Sequence, residues 1–242
     1  MFIFTNETHI KRFSRLGQIA SIAGLLLLGG GLFISFTRPE QVGLSLGGLL
    51  LGFGVSQIGI YLGNRYARFP RPDQAINKAL KGMDKNYNLY HFIAPAAHFL
   101  VGPAGMWILL PKPQRGRITY EKGRWKQRGS FWLSYLRIFA QEGIGRPDLE
   151  IGGEIDRVKK FLAKNIPQVD FPDPQVALVF LNERAEVEAD DAPAATLKIE
   201  RLKPHIRKEA KTKENRLNPE QIAALKAVLE ADWVEEDETQ ES

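Results

Sequence analysis

Between positions 98 and 128 the chain gathers most of the side chains that could do chemistry: His98, Lys112, Arg115, Arg117, Arg124, Lys126 and Arg128. An ammonium and several guanidiniums bind anions, and guanidinium grips a phosphate or carboxylate with two parallel hydrogen bonds. The group is interleaved with Tyr120, Trp125 and Trp132, and cations beside aromatic faces suit a nucleic-acid backbone. On a strand, Arg124, Lys126 and Arg128 share one face and Trp125 takes the other. The same alternation describes a solvated face over a core tryptophan, and that face also suits anionic lipid. His91 and His98 lie in apolar strand context, and no histidine pair has ligand spacing with carboxylates. Both strand positions therefore read as hydrogen-bonded structural histidines. The absence of cysteine excludes disulfides, thiolate metal sites and a cysteine nucleophile together. The turn Gly102 to Gly105 is too short for a phosphate loop and lacks the following Gly-Lys-Ser/Thr.

The elements that must position these residues follow from periodicity. Asp73 to Met83 has Ile76 and Leu80 at helical spacing, and Tyr87 to Ile93 reads as a strand. Strands over 97–101 and 106–110 flank the glycine turn, and 117–120 with 124–127 form a second hairpin around Glu121-Lys122-Gly123. Arg146 to Asn165 is helical, with Pro147 in its first turn. Gln175 to Leu181 is nearly all apolar, as expected of a strand covered on both faces. A further strand at 195–199, a short helix at 202–208 and a capped amphipathic helix from Asn218 to about Trp233 complete the order. The amphipathic helix is expected to dock on its own domain, and Glu235 to Ser242 to be a solvated acidic tail. The fold class is α/β, with a mixed sheet between helices.

The run YNLYHFIAPAAHFLVGPAGMWILLPKPQRGRITYEKGRW, followed after a helix by VALVFL, resembles the nuclease-related domain (NERD) family. The resemblance covers about 73–208 and is most specific in HFLVGPAGMWILLPK. It implies a restriction-endonuclease-like core with an Asp-His pair, a Val-Gly-Pro-x-Gly turn and a strand ending in Glu-x-Lys. Such carboxylates hold Mg²⁺, which activates water and offsets charge on a phosphodiester. Ala97 stands at the Asp position beside His98, Leu110 stands at the Glu position, and Lys112 alone matches. A one-residue slip brings in no acid, because Ala96, Leu109 and Pro111 are also uncharged. Asp73, Glu121 and Glu183 lack the spacing of such a site. The resemblance thus implies a nuclease-like domain without its metal ligands, and no cofactor is expected.

Two uncharged segments, Leu16 to Phe36 and Val42 to Leu62, each match the ~20 residues that cross a bilayer. A signal peptide fits the first less well, because its apolar run is long and a second follows at once. Lys11, Arg12 and Arg15 precede the first span, and Arg65, Arg68, Arg71, Lys78, Lys81 and Lys85 follow the second. The loop between holds only Arg38, so both termini should be cytoplasmic. No ionisable residue lies within either span, which argues against a transport path. Gly43-x-x-x-Gly47, Gly48-x-x-x-Gly52, Gly59-x-x-x-Gly63 and Gly29-Gly30-Gly31 are expected to pack the two helices together, and also fit homo-oligomerisation.

The sequence therefore divides into a basic N-terminus (1–15), a transmembrane hairpin (16–63), a juxtamembrane linker (64–72), the nuclease-like domain (73–208), and a basic connector with helix and tail (209–242). The net charge of +5 favours an anionic partner, nucleic acid or lipid headgroups. The expected role is binding or scaffolding at a bacterial inner membrane, with nucleic acid or a protein partner. The competing expectations are a metal-dependent nuclease with displaced acids and a structural subunit of a membrane complex.

Overall fold

A computed structural model describes residues 1–68, 70–128, 143–212 and 215–238. The chain forms two compact units, one built on Glu7–Pro72 and the other joining Met1–Asn6 to most of the chain from Asp73 onward.

In the first unit, helix α1 (Glu7–Thr37) and helix α2 (Val42–Leu62) form an antiparallel hairpin. Both are long and apolar enough to cross a membrane. The helix α1 begins well before the expected span, because the polar residues 7–15 are helix-compatible and Glu7 suits the positive N-terminal end. The buried glycines of α1 are Gly17, Gly24 and Gly31, and the buried residues of α2 are Ser45, Gly52 and Gly59. Both series repeat every seven residues, which keeps one seam facing the partner helix. At this seam backbones touch: a Cβ on Gly24 would lie 2.3 Å from Ser56 Oγ, and one on Gly52 2.7 Å from the Leu28 nitrogen. Ser45 Oγ donates to the Gly31 carbonyl at 2.9 Å. Only part of the expected glycine set works this way, since Gly29, Gly30, Gly43, Gly47 and Gly63 have open space where a Cβ would be. The large side chains point outward, with Leu26 71% and Phe36 80% exposed. This is the reverse of a core helix in a water-soluble protein.

A π-helical turn, Gly63–Ala67, follows α2. Its Tyr66 is buried against Phe13 and His9, with ring centroids 5.3 and 5.6 Å away. Arg71 donates to both carboxylate oxygens of Glu7, at 2.8 and 3.1 Å.

The second unit is α/β. Its elements are strand β1 (Phe2–Thr5), helix α3 (Pro72–Leu80), strands β2 (Asn88–His91), β3 (His98–Gly102), β4 (Gly105–Lys112), β5 (Gly116–Glu121) and β6 (Arg124–Arg128), and helix α4 (Pro147–Asn165). Strands β7 (Gln175–Phe180), β8 (Ala185–Glu188) and β9 (Ala195–Lys198) follow, then helices α5 (Ile199–Glu209) and α6 (Pro219–Glu238). Six strands form one sheet in the order β1-β2-β3-β4-β7-β9. The meander β2-β3-β4 is antiparallel, whereas β1 on β2, β7 on β4 and β9 on β7 are parallel.

Alternation along β4 explains the layering. Trp107 and Leu109 face one side, where Ile76 and Leu80 of α3 and Leu202 and Ile206 of α5 close the core. Met106, Ile108 and Leu110 face the other, against Val158 and Leu162 of α4 and Leu225 and Leu229 of α6. With helices on both faces, an unbroken apolar strand is what burial requires. The expected docking of the C-terminal helix on its own domain is thus what the structure has. Its start is capped reciprocally: the Gln221 N–H donates to Asn218 Oδ1 and the Asn218 N–H donates to Gln221 Oε1, both at 2.8 Å.

Three features depart from the sequence reading. Residues 2–5, expected to be part of a basic N-terminus, are an edge strand of the main sheet, with Phe4 stacked on Tyr90 at 5.1 Å. The 116–128 hairpin does not join that sheet; it pairs with β8 in a separate three-stranded sheet, β6-β5-β8. The chain turns off after β4 at Pro113 and at Gly116, whose φ of +87° is open chiefly to glycine. The last helix continues to Glu238, so the first residues of the expected tail are helical.

Replacing Gly52 by Leu should lower the thermal midpoint of the full chain in detergent, consistent with the ~1–3 kcal/mol or more that overpacking costs. Gly47→Leu, on the open side, should leave it unchanged, so equal effects in circular dichroism melts would refute the seam.

Candidate functional site

The positions singled out by the resemblance, Ala97, His98, Leu110 and Lys112, fall at the open end of the β3–β4 hairpin. In the ladder Phe99 faces Ile108, so the same register carries Ala97 opposite Leu110. Ala97 shares its parity with Phe99, and Lys112 with Leu110, so the three positions Ala97, Leu110 and Lys112 lie on the α4 side of the sheet. Two of them are apolar, and Leu110 is buried in the core.

Lys112 is 7% exposed and its ammonium is ion-paired with Glu150, in the first turn of α4. A buried ammonium without a partner is costly, and this carboxylate removes that cost. Glu150 is also favoured by the helix N-terminal dipole, where Asp148 accompanies it. The pair was not foreseen from the sequence, because nothing local links positions 112 and 150. Nearby, Gln114 Nε2 donates to the Gly143 carbonyl at 3.1 Å, and the Ile144 N–H donates to Gln127 Oε1 at 3.1 Å. These amides pin the chain entering α4. Among the described residues, no group of three or more His, Asp or Glu side chains could hold a metal ion.

His98 points to the opposite face. It is directly across from His91, and the two Nδ1 atoms are 2.7 Å apart. At that distance one nitrogen must carry the proton and the other accept it. His91 Nε2 lies 2.9 Å from Asn77 Oδ1, which only accepts, so this assignment has Nε2 donating and His98 Nδ1 donating to His91. Both rings are buried and hydrogen-bonded, in keeping with a structural role, and Asp73, one turn before Asn77 on α3, is buried as well.

The basic group on the three-stranded sheet is less positive than its sequence suggests. Arg117 donates to Glu188 of β8 through two nitrogens, at 2.6 and 3.0 Å, and Lys126 donates to Glu121 at 2.7 Å. Glu188 holds the Arg117 guanidinium charged, pushing its pKa up, and Lys126 pulls the Glu121 carboxyl below its ordinary value. Arg117 and Arg128 face each other across the ladder, a like-charge pair that Glu188 offsets. Arg124, Lys126 and Arg128 are exposed while Trp125 packs toward the core beside Tyr120, with centroids 5.0 Å apart. The Arg115 carbonyl accepts from Gln127 Nε2 at 3.0 Å. Trp132 falls outside the described residues.

A groove of about 1100 Å³ opens at the β9 edge, reaching Trp107 and His205 on one face and Ile155 and Val187 on the other. His205 sits edge-on to Trp107, with centroids 5.4 Å apart, and burial pushes its pKa below the ordinary imidazole value.

Comparison with protein-family models, with curated proteins and with solved structures finds no match to this chain.

Two outcomes test these contacts. Glu150→Ala should destabilise the full chain more than Lys112→Met in chemical denaturation, because only the first leaves a buried charge; the reverse order would show that the pair is not what neutralises Lys112. Because the folded state disfavours protonated His205, stability should be complete above the unfolded-state value of about 6.5 and decline as pH falls through it. His205→Gln should flatten that part of the stability–pH curve, and an unaltered curve would remove His205 as its cause.

Proposed function

We propose that this chain is a membrane-anchored, non-catalytic nuclease-like domain that acts by binding or scaffolding. Support for the fold comes from the element order α3-β2-β3-β4-α4-β7, with an antiparallel meander and β7 parallel to β4, which fits the restriction-endonuclease-like core that the NERD resemblance implies. The observation that carries the loss of catalysis is the chemistry of one sheet end: Ala97 and Leu110 where metal-binding carboxylates would stand, and Lys112 already neutralised by Glu150. A hard divalent cation needs several anionic oxygens, and one carboxylate engaged by an ammonium does not supply them.

The membrane reading rests on the outward-facing apolar hairpin and on chain connectivity. Strand β1 precedes α1 and belongs to the same unit as the chain after α2, so both ends of the hairpin serve one folded body. That requires an even number of crossings and the same side for β1 and the α/β domain. Cleavage after α1 as a signal peptide would also strip an edge strand from the sheet. With the flanking arginines, this favours a bacterial-type cell membrane with both ends in the cytoplasm. For the partner, the alternating charges of β5, β6 and β8 favour a protein surface over a phosphate backbone, which binds best to cations of one sign.

The test is to restore the missing acids. In the purified full chain, Mn²⁺ should produce no thermal stabilisation and no DNA cleavage, whereas Ala97→Asp/Leu110→Glu should gain a metal-dependent stabilisation of about 2.7 kcal/mol at a hundredfold excess over its Kd. Metal-stimulated cleavage by the unmodified chain, abolished by Lys112→Ala, would instead establish a nuclease with displaced acids.

A further inference from the structure

The main sheet ends in an edge that the protein leaves open. β9 is its last strand, parallel to β7 over the four residues Ala195–Lys198. Among the described residues, the backbone of these four bonds only to β7, so the amide groups on the far side of the strand are unpaired. Proteins guard such an edge with a lysine, a proline or a covering element. Here Pro193 stands ahead of the strand rather than in it, and the Lys198 ammonium is engaged by the Glu183 carbonyl at 2.9 Å. Small side chains at Ala195 and Thr196 leave the approach clear. The groove of about 1100 Å³ opens along this edge.

The two walls of the groove differ in kind. On the Trp107 face, Arg201, His205 and Lys208 follow one another at i, i+4 and i+7, which puts them on one side of α5. Among the described residues neither Arg201 nor Lys208 makes an ion pair, and His205 Nε2 is buried without a hydrogen-bond partner. On the opposite face the wall is apolar, made by Ile155 of α4 and Val187 of β8, both half-buried. Asp190 and Glu209 are the acids of the groove, against the cations Lys198, Arg201 and Lys208, so its net charge is positive. A strand laid along β9 turns alternate side chains to opposite faces. One set meets the cations of α5, and the other meets the apolar wall.

We propose that the β9 edge binds an extended peptide segment of a partner protein by strand addition, and that this segment alternates acidic with apolar residues. Its backbone pairs with Ala195–Lys198, its carboxylates reach Arg201 and Lys208, and its apolar side chains pack on Ile155 and Val187. Four residues of edge span roughly 13 Å, so the seat reads a short alternating pattern and little beyond it. The proposal rests on the binding role given to the chain, for which it supplies the partner.

The experiment titrates the full chain in detergent into a fluorescein-labelled, capped peptide of alternating glutamate and valine, with binding followed by anisotropy. This peptide should bind about tenfold more tightly than its lysine–valine counterpart, and Arg201→Glu/Lys208→Glu should reverse the preference. An unaltered preference in that variant, or no saturable binding of the glutamate–valine peptide to the unmodified chain, overturns the proposal. Peptides methylated on alternate backbone nitrogens test the pairing without altering the protein. Methyl groups on the side that faces β9 should abolish binding, and methyl groups on the other side should not. Indistinguishable behaviour of the two methylated forms overturns strand addition. So does a dimer of the chain that excludes the peptide, which would give the edge to a second copy. Metal-stimulated DNA cleavage would end the non-catalytic reading and leave these titrations standing, so the two fail separately.

Discussion

The ammonium of Lys112 has to be neutralised inside the protein, and that constraint organises the end of the sheet. β4 is covered on both faces, so its last residue arrives in surroundings that do not solvate a cation. In a metal-binding arrangement, neighbouring carboxylates and a hydrated cation would set the local charge. Here Ala97 and Leu110 contribute none, and α4 brings Glu150 to the ammonium instead. The entry to α4 is then fixed by Gln114 and Gln127, whose amides hold Gly143 and Ile144. The ion pair of Lys112 with Glu150 is thus a structural tie between sheet and helix.

The same logic of charge against available partner distinguishes the three polar regions of the molecule. On the small sheet, Glu188 and Glu121 meet Arg117 and Lys126, so the face is close to balanced. In the buried histidine pair, a proton between the two Nδ1 atoms links the rings across the ladder. The hairpin also binds its helices without large side chains. Glycine and serine at sevens bring the backbones together, which leaves the leucines and phenylalanines pointing outward.

Local signals made much of the fold legible. The hairpin at Gly102–Gly105, the strand Gln175–Phe180, the helix opened by Pro147 and the capping box at Asn218 all declare themselves within a few residues, because turn chemistry, apolar runs and caps are local physics. β8 was missed, since Ala-Glu-Val-Glu is too short and too charged to stand out from a loop. β1 was missed for another reason: four residues ahead of a long apolar helix look like part of its basic flank, and only pairing with β2, more than eighty positions away, makes them a strand. The split into two sheets was equally invisible, because which edge a hairpin joins depends on where the chain has turned.

At the site, residue types alone established that no acid stands at positions 97 or 110, and that no cysteine chemistry is available. Composition likewise determined two apolar segments of membrane-crossing length. Tertiary structure decided what Lys112 touches, that His98 turns away from it to pair with His91, and which glycines form the seam. Those outcomes join residues far apart in the chain, and strand register, sheet face and helix rotation set them; no short stretch of sequence encodes any of the three.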